Sequence, residues 1–497
     1  MKYVMGIDLG TGSVKAILVN QTGRIMGESS CAYPIIQKKS GYNEQDPELW
    51  VTQTIAAMKE LIQKCNVHGT DVEGISFSGQ MHGLVLLDQH RRALRNAILW
   101  NDTRTTEQCH QIQQALGGRL LGITRNSALE GFTLPKLLWV KQHEPEIFQQ
   151  SDVFLLPKDY VRYRLTGQLA IDYSDGAGTL LMDVANKTWS KELLQTFDIP
   201  EHLCPPLMES TGLAGGLLPE MANKCGLSPE VKVFAGGADN ACGAVGAGIL
   251  SPEGTLCSIG TSGVILSYEE NRNVDYKGQL HFFNHSQPDA FYAMGVTLAA
   301  GHSLTWYKNT FAKEQTFEQL LAPIEEIPAG AGGLLFTPYI TGERTPHADS
   351  TIRGSFIGMD SAHTQAHFTR AVIEGITFSL RESLELLRNT GKSIHTIVSI
   401  GGGAKNDTWL QIQADLFGAE IVQLESEQGP ALGAAMIAAV GCNWFSSLEE
   451  CARTFIHKGT PYQPNSRQTN IYNDLFEQYQ SIYRQTHELN QNLAKFR

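Results

Sequence analysis

Paired cysteines are absent from this sequence. Its nine cysteines are scattered singly, odd in number and never in Cys-x-x-Cys spacing, which points away from a zinc ribbon or a disulfide framework and predicts reduced thiols in a cytoplasmic protein. Long apolar runs are missing too. The densest one, Ala431 to Val440, is too short and too rich in Ala and Gly to span a bilayer and reads as a tightly packed internal helix. Before Tyr3 there is no basic segment, apolar stretch or cleavage site, so secretion is not expected, and a DNA-binding helix-turn-helix has no room there. Basic residues are in deficit. The 39 Lys and Arg against 51 Asp and Glu give a formal charge of −12, which argues against a nucleic-acid-binding surface as the main function. With 18% charged and 42% hydrophobic residues the composition is that of a globular enzyme, and 497 residues exceed one core, so two large domains are expected.

Against that background one turn stands out because it occurs twice, as Asp8-Leu9-Gly10-Thr11-Gly12-Ser13 and as Gly260-Thr261-Ser262-Gly263. Each copy joins two apolar strands, so each reads as a β-hairpin tip. Glycine lets backbone N–H groups approach an anion, and the hydroxyls of Thr11, Ser13, Thr261 and Ser262 can donate to phosphate oxygens. Two such tips facing one cleft would hold a polyphosphate, and their spacing suits a duplicated domain. The copies are chemically unequal: Asp8 ends the first strand, whereas Ser258 stands near the same place in the second.

The elements between the hairpins follow a repeated plan. A third strand is expected over Arg24 to Ser30, then a helix capped by Asp46 with Pro47 in its first turn, then a strand from Gly74 to Phe77 running into Ser78-Gly79-Gln80-Met81-His82-Gly83. In the second half a helix is expected from about Val296 to Lys308 and another from Gln365 to Arg388, followed by a strand from Thr396 to Ile400 that ends at Gly401-Gly402-Gly403. The division is placed at 248/249, giving domains 1–248 and 249–497. A hinge there would put Asp239 on the floor of a cleft. Asp239 suits a general base for an attacking hydroxyl, but an Asp in this position is equally suited to capping the helix that follows.

Gly131-Phe132-Thr133-Leu134-Pro135-Lys136-Leu137-Leu138-Trp139-Val140 and Gly401-Gly402-Gly403-Ala404-Lys405-Asn406-Asp407, together with both hairpins, resemble the signatures of the FGGY carbohydrate kinases. The resemblance covers essentially the whole chain. It implies an α/β fold of two ribonuclease H-like domains, of the actin and hexokinase type, with the active site between them and with ATP and Mg²⁺ as cofactors. Two departures are Gly12, where a second hydroxyl residue is frequent, and Ala238, where Gly is common. Within the family, Ser78 to Gly83, Ile98-Leu99-Trp100-Asn101-Asp102 and Leu156-Pro157-Lys158-Asp159-Tyr160 are similar to the members that phosphorylate D-xylulose.

On that resemblance Asp239 is the catalytic base and Asp8 holds Mg²⁺, the bland alternative for Asp8 being a turn residue bonded to its own hairpin. Met81 and His82, with Asp239 and Asn240, are implied as sugar contacts. Trp100 and Asp102 are further candidates, although Asp102 and Arg104 could form a surface ion pair. Thr11, Gly12 and Ser13 with Gly260 and Thr261 would contact phosphates, and Lys15 would reach them as a point charge or else be solvated. Gly301, Thr305, Gly402, Gly403 and Asn406 would line the rest of the nucleotide site. Other expected acceptors are ribulose, gluconate or glycerol; a sugar-sensing actin-like ATPase is the alternative of a different class. The partners are a small sugar and ATP, with no membrane and no nucleic acid, in a monomer or homodimer.

Overall fold

The computed structural model describes residues 1–425 and 428–497. Its first half is built on β1 (Tyr3–Leu9), β2 (Ser13–Asn20) and β3 (Ile25–Ala32), an antiparallel meander. Helix α1 (Pro47–Cys65) follows, with the Asp46 side chain accepting from the Glu48 N–H as its cap. β4 (Val72–Gly79) then lies parallel to β1, and β5 (Leu213–Gly216), β6 (Lys232–Phe234) and β7 (Gly237–Ala238) complete a seven-stranded sheet of order β5-β6-β4-β1-β2-β3, with β7 also on β4. Helices α2 (Thr133–His143) and α3 (Pro157–Thr166) belong to the long insertion after β4, and α4 (Asp239–Gly246) leaves the end of β7.

The second half repeats the plan. β8 (Thr255–Ile259) and β9 (Gly263–Glu269) form the second hairpin, and β10 (His281–Asn284) and β11 (Phe291–Thr297) extend it. After α5 (Gly301–Phe311) and α6 (Gln365–Arg388), β12 (Thr396–Gly401) lies parallel to β8 as β4 does to β1. Helix α7 (Asp407–Phe417), β13 (Glu420–Leu424), α8 (Gly429–Gly441), α9 (Leu448–Phe455), β14 (Lys458–Tyr462) and α10 (Ser466–Leu493) end the chain. The second sheet has the order β10-β11-β9-β8-β12-β13-β14. Two mixed sheets, each opening on a phosphate-type hairpin, make this the two-domain α/β architecture of the actin and hexokinase ATPases.

The helix expected from Val296 begins five residues later, at Gly301. Phe291 to Thr297 is buried throughout and pairs antiparallel with β9, so this apolar run is a strand with both faces covered. Gly301 then turns the chain against the second hairpin, its N–H donating to the Gly260 carbonyl at 2.8 Å.

Helices α8 and α9 come from the second half yet pack on the first sheet. Val4, Ile17 and Val19 share a buried apolar cluster with Ala435, Met436, Leu448 and Phe455. The approach is backbone to backbone: a Cβ on Gly6 would lie 2.0 Å from the Ala431 carbonyl oxygen, and one on Gly433 would lie 1.9 Å from that of Cys242 in α4. Among the described residues no helix is long and apolar enough to cross a membrane.

Candidate active site

Each hairpin tip closes with a bond donated by its first glycine, from the Gly10 N–H to the Ser13 carbonyl at 3.0 Å and, in a tip one residue tighter, from the Gly260 N–H to the Ser262 carbonyl at 2.9 Å. The first tip is held from behind. Gln45 Nε2 donates to the Thr11 carbonyl at 2.7 Å, the Tyr33 hydroxyl to the Gly10 carbonyl at 2.6 Å, and Trp100 Nε1 to Thr11 Oγ1 at 2.9 Å. Above Gly12 there is open space for 4 Å. Asp8 accepts from Ser78 Oγ at 2.9 Å, and burial raises its pKa against the opposing pull of that bond and of Lys15, its register partner across the hairpin. Lys15 does not reach out as a free point charge: its ammonium is 3.2 Å from Glu28 and donates to Gln428.

A cavity of about 270 Å³ opens between the sheets, and Met81, His82, Trp100, Asp239 and Asn240 all line it. Asp239 is the first residue of α4, whose cap position is held by Ala238, so the carboxylate is not spent as the helix cap. Its Oδ1 accepts from the Asn240 N–H at 2.7 Å and from Asn240 Nδ2 at 2.9 Å. Burial and then the charge of Asp8 push its pKa up to about 7.

His82 sits in the left-handed region at φ 68°. That conformation is fixed through its own carbonyl, which accepts from Thr133 Oγ1 at 3.1 Å and from Lys136 Nζ at 2.9 Å, both on α2. The segment Gly131 to Val140 thereby sets the shape of the loop that lines the cavity. His82 Nδ1 lies 2.6 Å from the Gly178 carbonyl. A carbonyl only accepts, so Nδ1 carries the proton and Nε2 is left as an acceptor. Burial, reinforced by the Lys136 charge, holds the ring neutral with its pKa pulled down to about 3.

Asp102 does not line this cavity. At 1% exposure it is clasped by Arg104, whose Nε and Nη2 donate to its two oxygens at 2.9 and 2.7 Å, and it accepts from the Asn43 N–H at 2.6 Å. The ion pair is buried rather than superficial, and it fixes the loop from which Trp100, 41% exposed, projects. The sequence reading missed Phe132, His281, Phe283 and Arg344, which complete the wall. Phe132 lay inside a recognised motif. His281 and Phe283 alternate on β10 and stack with centroids 5.7 Å apart, a period-2 signal that could have marked one face of a strand.

Behind Asp239 lies a fully buried ionic knot. Lys158 Nζ is 2.7 Å from Asp159, 2.7 Å from Asp172 and 2.9 Å from Asp175, and Arg162 also donates to Asp159 at 2.7 Å. These three carboxylates are near enough to share a cation, and the ammonium of Lys158 is the cation they share. Asp172 accepts from Ser174 Oγ, which accepts in turn from the Ala238 N–H at 2.9 Å. The residue before Asp239 is thus tied to the knot.

A second cavity, about 710 Å³, lies on the other side of the second hairpin. Gly260, Thr261, Gly301, Thr305, Gly402, Gly403 and Asn406 all border it, joined by the apolar Leu304, Phe317 and Leu321. Asn406 also caps α7, its Oδ1 accepting from the Trp409 N–H at 2.9 Å. Four glycines let a flat ligand approach the backbone, and apolar side chains offer it a face.

Two phosphate-type hairpins, the second standing between a cavity bordered by Asp239, His82 and Arg344 and a larger glycine-bordered one, define a two-domain kinase of small polar acceptors. The chain belongs to the FGGY family of carbohydrate kinases: the family's N-terminal domain matches residues 3–246 and its C-terminal domain residues 255–442. It is 62% identical to the xylulose kinase of Bacillus subtilis, over 100% of both chains. Among solved structures it resembles ligand-bound xylulose kinase from Lactobacillus acidophilus, with a TM-score of 0.92 and 29% identity over 98% of this chain and 99% of the other. Gluconate kinase from the same organism superposes with the same TM-score of 0.92 at 29% identity, over 98% of both chains. Backbone shape therefore does not discriminate between acceptors; side chains in the smaller cavity must.

Proposed function

We propose that the cleft transfers the γ-phosphoryl group of ATP to O5 of D-xylulose in the cytoplasm. The observation that carries this reading is Asp239, whose Oδ1 is tied to Asn240 while the carboxyl group borders the smaller cavity beside His82. Asp239 accepts the proton of the sugar hydroxyl as the new O–P bond forms and the bond from that phosphorus to ADP breaks. His82 Nε2 accepts from a second hydroxyl, and Met81, Trp100 and Asn240 shape the wall around the sugar. Thr11, Gly12 and Ser13 face Gly260 and Thr261 across the polyphosphate, and Gly301, Thr305, Gly402, Gly403 and Asn406 take the nucleoside end.

Mg²⁺ fits the donor set. The Asp8 carboxylate is close enough to Asp239 to raise its pKa, and two such neighbouring carboxylates suit a hard divalent cation shared with phosphate oxygens. Asp8 would hold it, and it would neutralise charge on the phosphates.

ADP release from Mg-ATP tests the acceptor. With D-xylulose, L-ribulose, D-ribulose, glycerol and gluconate assayed in parallel, kcat/KM is expected to favour D-xylulose by at least about tenfold, a margin of ~1.4 kcal/mol. A higher value with any other acceptor overturns the substrate assignment.

Titration tests the base. In nucleotide-free protein, sugar affinity measured by calorimetry should weaken as pH falls through about 7, because Asp239 takes up a proton, loses its charge and turns one acceptor oxygen into a donor. Asp8→Asn removes a like charge and should move that transition to lower pH. An unmoved transition would mean that Asp8 is not the neighbour responsible.

A further inference from the structure

Arg344 lines the smaller cavity, yet its guanidinium makes no hydrogen bond or ion pair with any described residue. Its position is not accidental slack. The preceding Glu343 carboxylate accepts from the Leu298 N–H at 3.0 Å, from the Arg344 N–H at 2.7 Å and from Ser379 Oγ at 3.2 Å. The following Thr345 exchanges bonds with Val296 of β11, donating its N–H at 3.0 Å and accepting through Oγ1 at 3.1 Å. Farther along, the His347 ring stacks on Tyr483 of α10 at 3.7 Å. A rigid strap therefore carries a half-buried, donor-only group to the wall of the acceptor cavity, where it feels the charges of Glu130 and Glu343 but is hydrogen-bonded to neither.

The chemistry of a 2-ketopentose supplies what that group lacks. Such a sugar closes its ring by adding the C5 hydroxyl to the C2 carbonyl, which consumes the hydroxyl that Asp239 must deprotonate. Transfer to O5 thus requires the open chain, in which C2 is a free ketone. A ketone oxygen only accepts hydrogen bonds, so neither Asp239 nor the unprotonated Nε2 of His82 can serve it. Of the other side-chain N–H groups bordering the cavity, that of Trp100 donates to Thr11, those of Asn240 to Asp239 and to Met81 Sδ, and that of His281 Nδ1 to Asn126 Oδ1. We infer that Arg344 reads the C2 ketone of the open-chain ketopentose and so makes this a ketose site. The inference rests on the ketopentose reading given above.

The test compares D-xylulose with xylitol and D-arabinitol, which differ from it only by reduction at C2. Arg344→Met should lower the ratio of kcat/KM for the ketose over either pentitol by about 10- to 100-fold, Arg344→Lys should lower it less, and nucleotide Kd should stay unchanged. A ratio within about threefold of wild type in both variants overturns the assignment, because 1.4 kcal/mol already separates a factor of ten. A second readout uses 5-deoxy-D-xylulose labelled with ¹³C at C2, which cannot close its ring. Its carbonyl stretch should fall to lower frequency in the wild-type complex than in the Arg344→Lys complex, and equal frequencies count against the contact. Wild-type protein that phosphorylates gluconate rather than D-xylulose would instead remove the reading on which the inference stands.

Discussion

Replacing Asp239 by Asn is expected to lower kcat about a thousandfold, within the range that one positioned base contributes, while the protein becomes more heat-stable. The two effects share a cause. In the folded protein the carboxyl group has its pKa pushed from 3.8 up to about 7 by burial and by Asp8. A group whose folded value lies above its unfolded value stabilises the fold in its protonated form, and that contribution is lost as pH rises through 7. Asparagine keeps the neutral shape and still accepts from Asn240. The melting temperature should therefore rise by on the order of 2 °C at neutral pH and change little near pH 4, as scanning calorimetry would record. Retention of more than about a tenth of kcat, ~1.4 kcal/mol of barrier, would show that another group takes the proton.

The second large effect is on stability. Lys158→Met leaves the Asp159, Asp172 and Asp175 carboxylates, all fully buried, with only Arg162 to balance them. Breaking a buried ionic group by removing one partner costs roughly 3–5 kcal/mol, so the denaturant midpoint should fall markedly. The sign of its pH dependence follows. Burial already raises the Asp159 and Asp175 pKa values against the pull of Lys158, and without that ammonium they rise further. The loss should shrink as pH falls and the carboxyls protonate. A loss below about 1 kcal/mol at neutral pH would mean that water reaches the knot, as it does for exposed pairs.

Much of the fold was legible because it is written in local chemistry. The hairpin tips, the Asp46 cap and the glycines that follow β12 each depend on residues near one another in sequence. The family signatures were legible for the same reason. What was hidden depends on partners far along the chain. Lys15 meets Gln428, and Asp102, whose pairing with Arg104 was one of the readings, is buried by a further bond from the Asn43 backbone; no periodicity distinguishes these fates from contact with a ligand. Val296 and Thr297, the last two residues of the strand Phe291–Thr297, were read as the start of a helix because a short buried apolar run lacks a period of its own. Arg344 was invisible for a different reason: its meaning lies in a bond that it does not make within the protein.

The exchange of α8 and α9 onto the first sheet has a consequence for how the chain must be made. Val4, Ile17 and Val19 emerge from the ribosome first, yet the residues that cover them extend to Phe455. At ordinary translation speeds of about 5–20 residues per second, roughly 10–40 s separate the synthesis of Ala238 from that of Phe455. Throughout that interval the earliest sheet is dressed on one face only. The gene order therefore forbids the first domain from maturing by itself, and a nascent chain halted near its midpoint exposes a greasy surface to its neighbours on the same message.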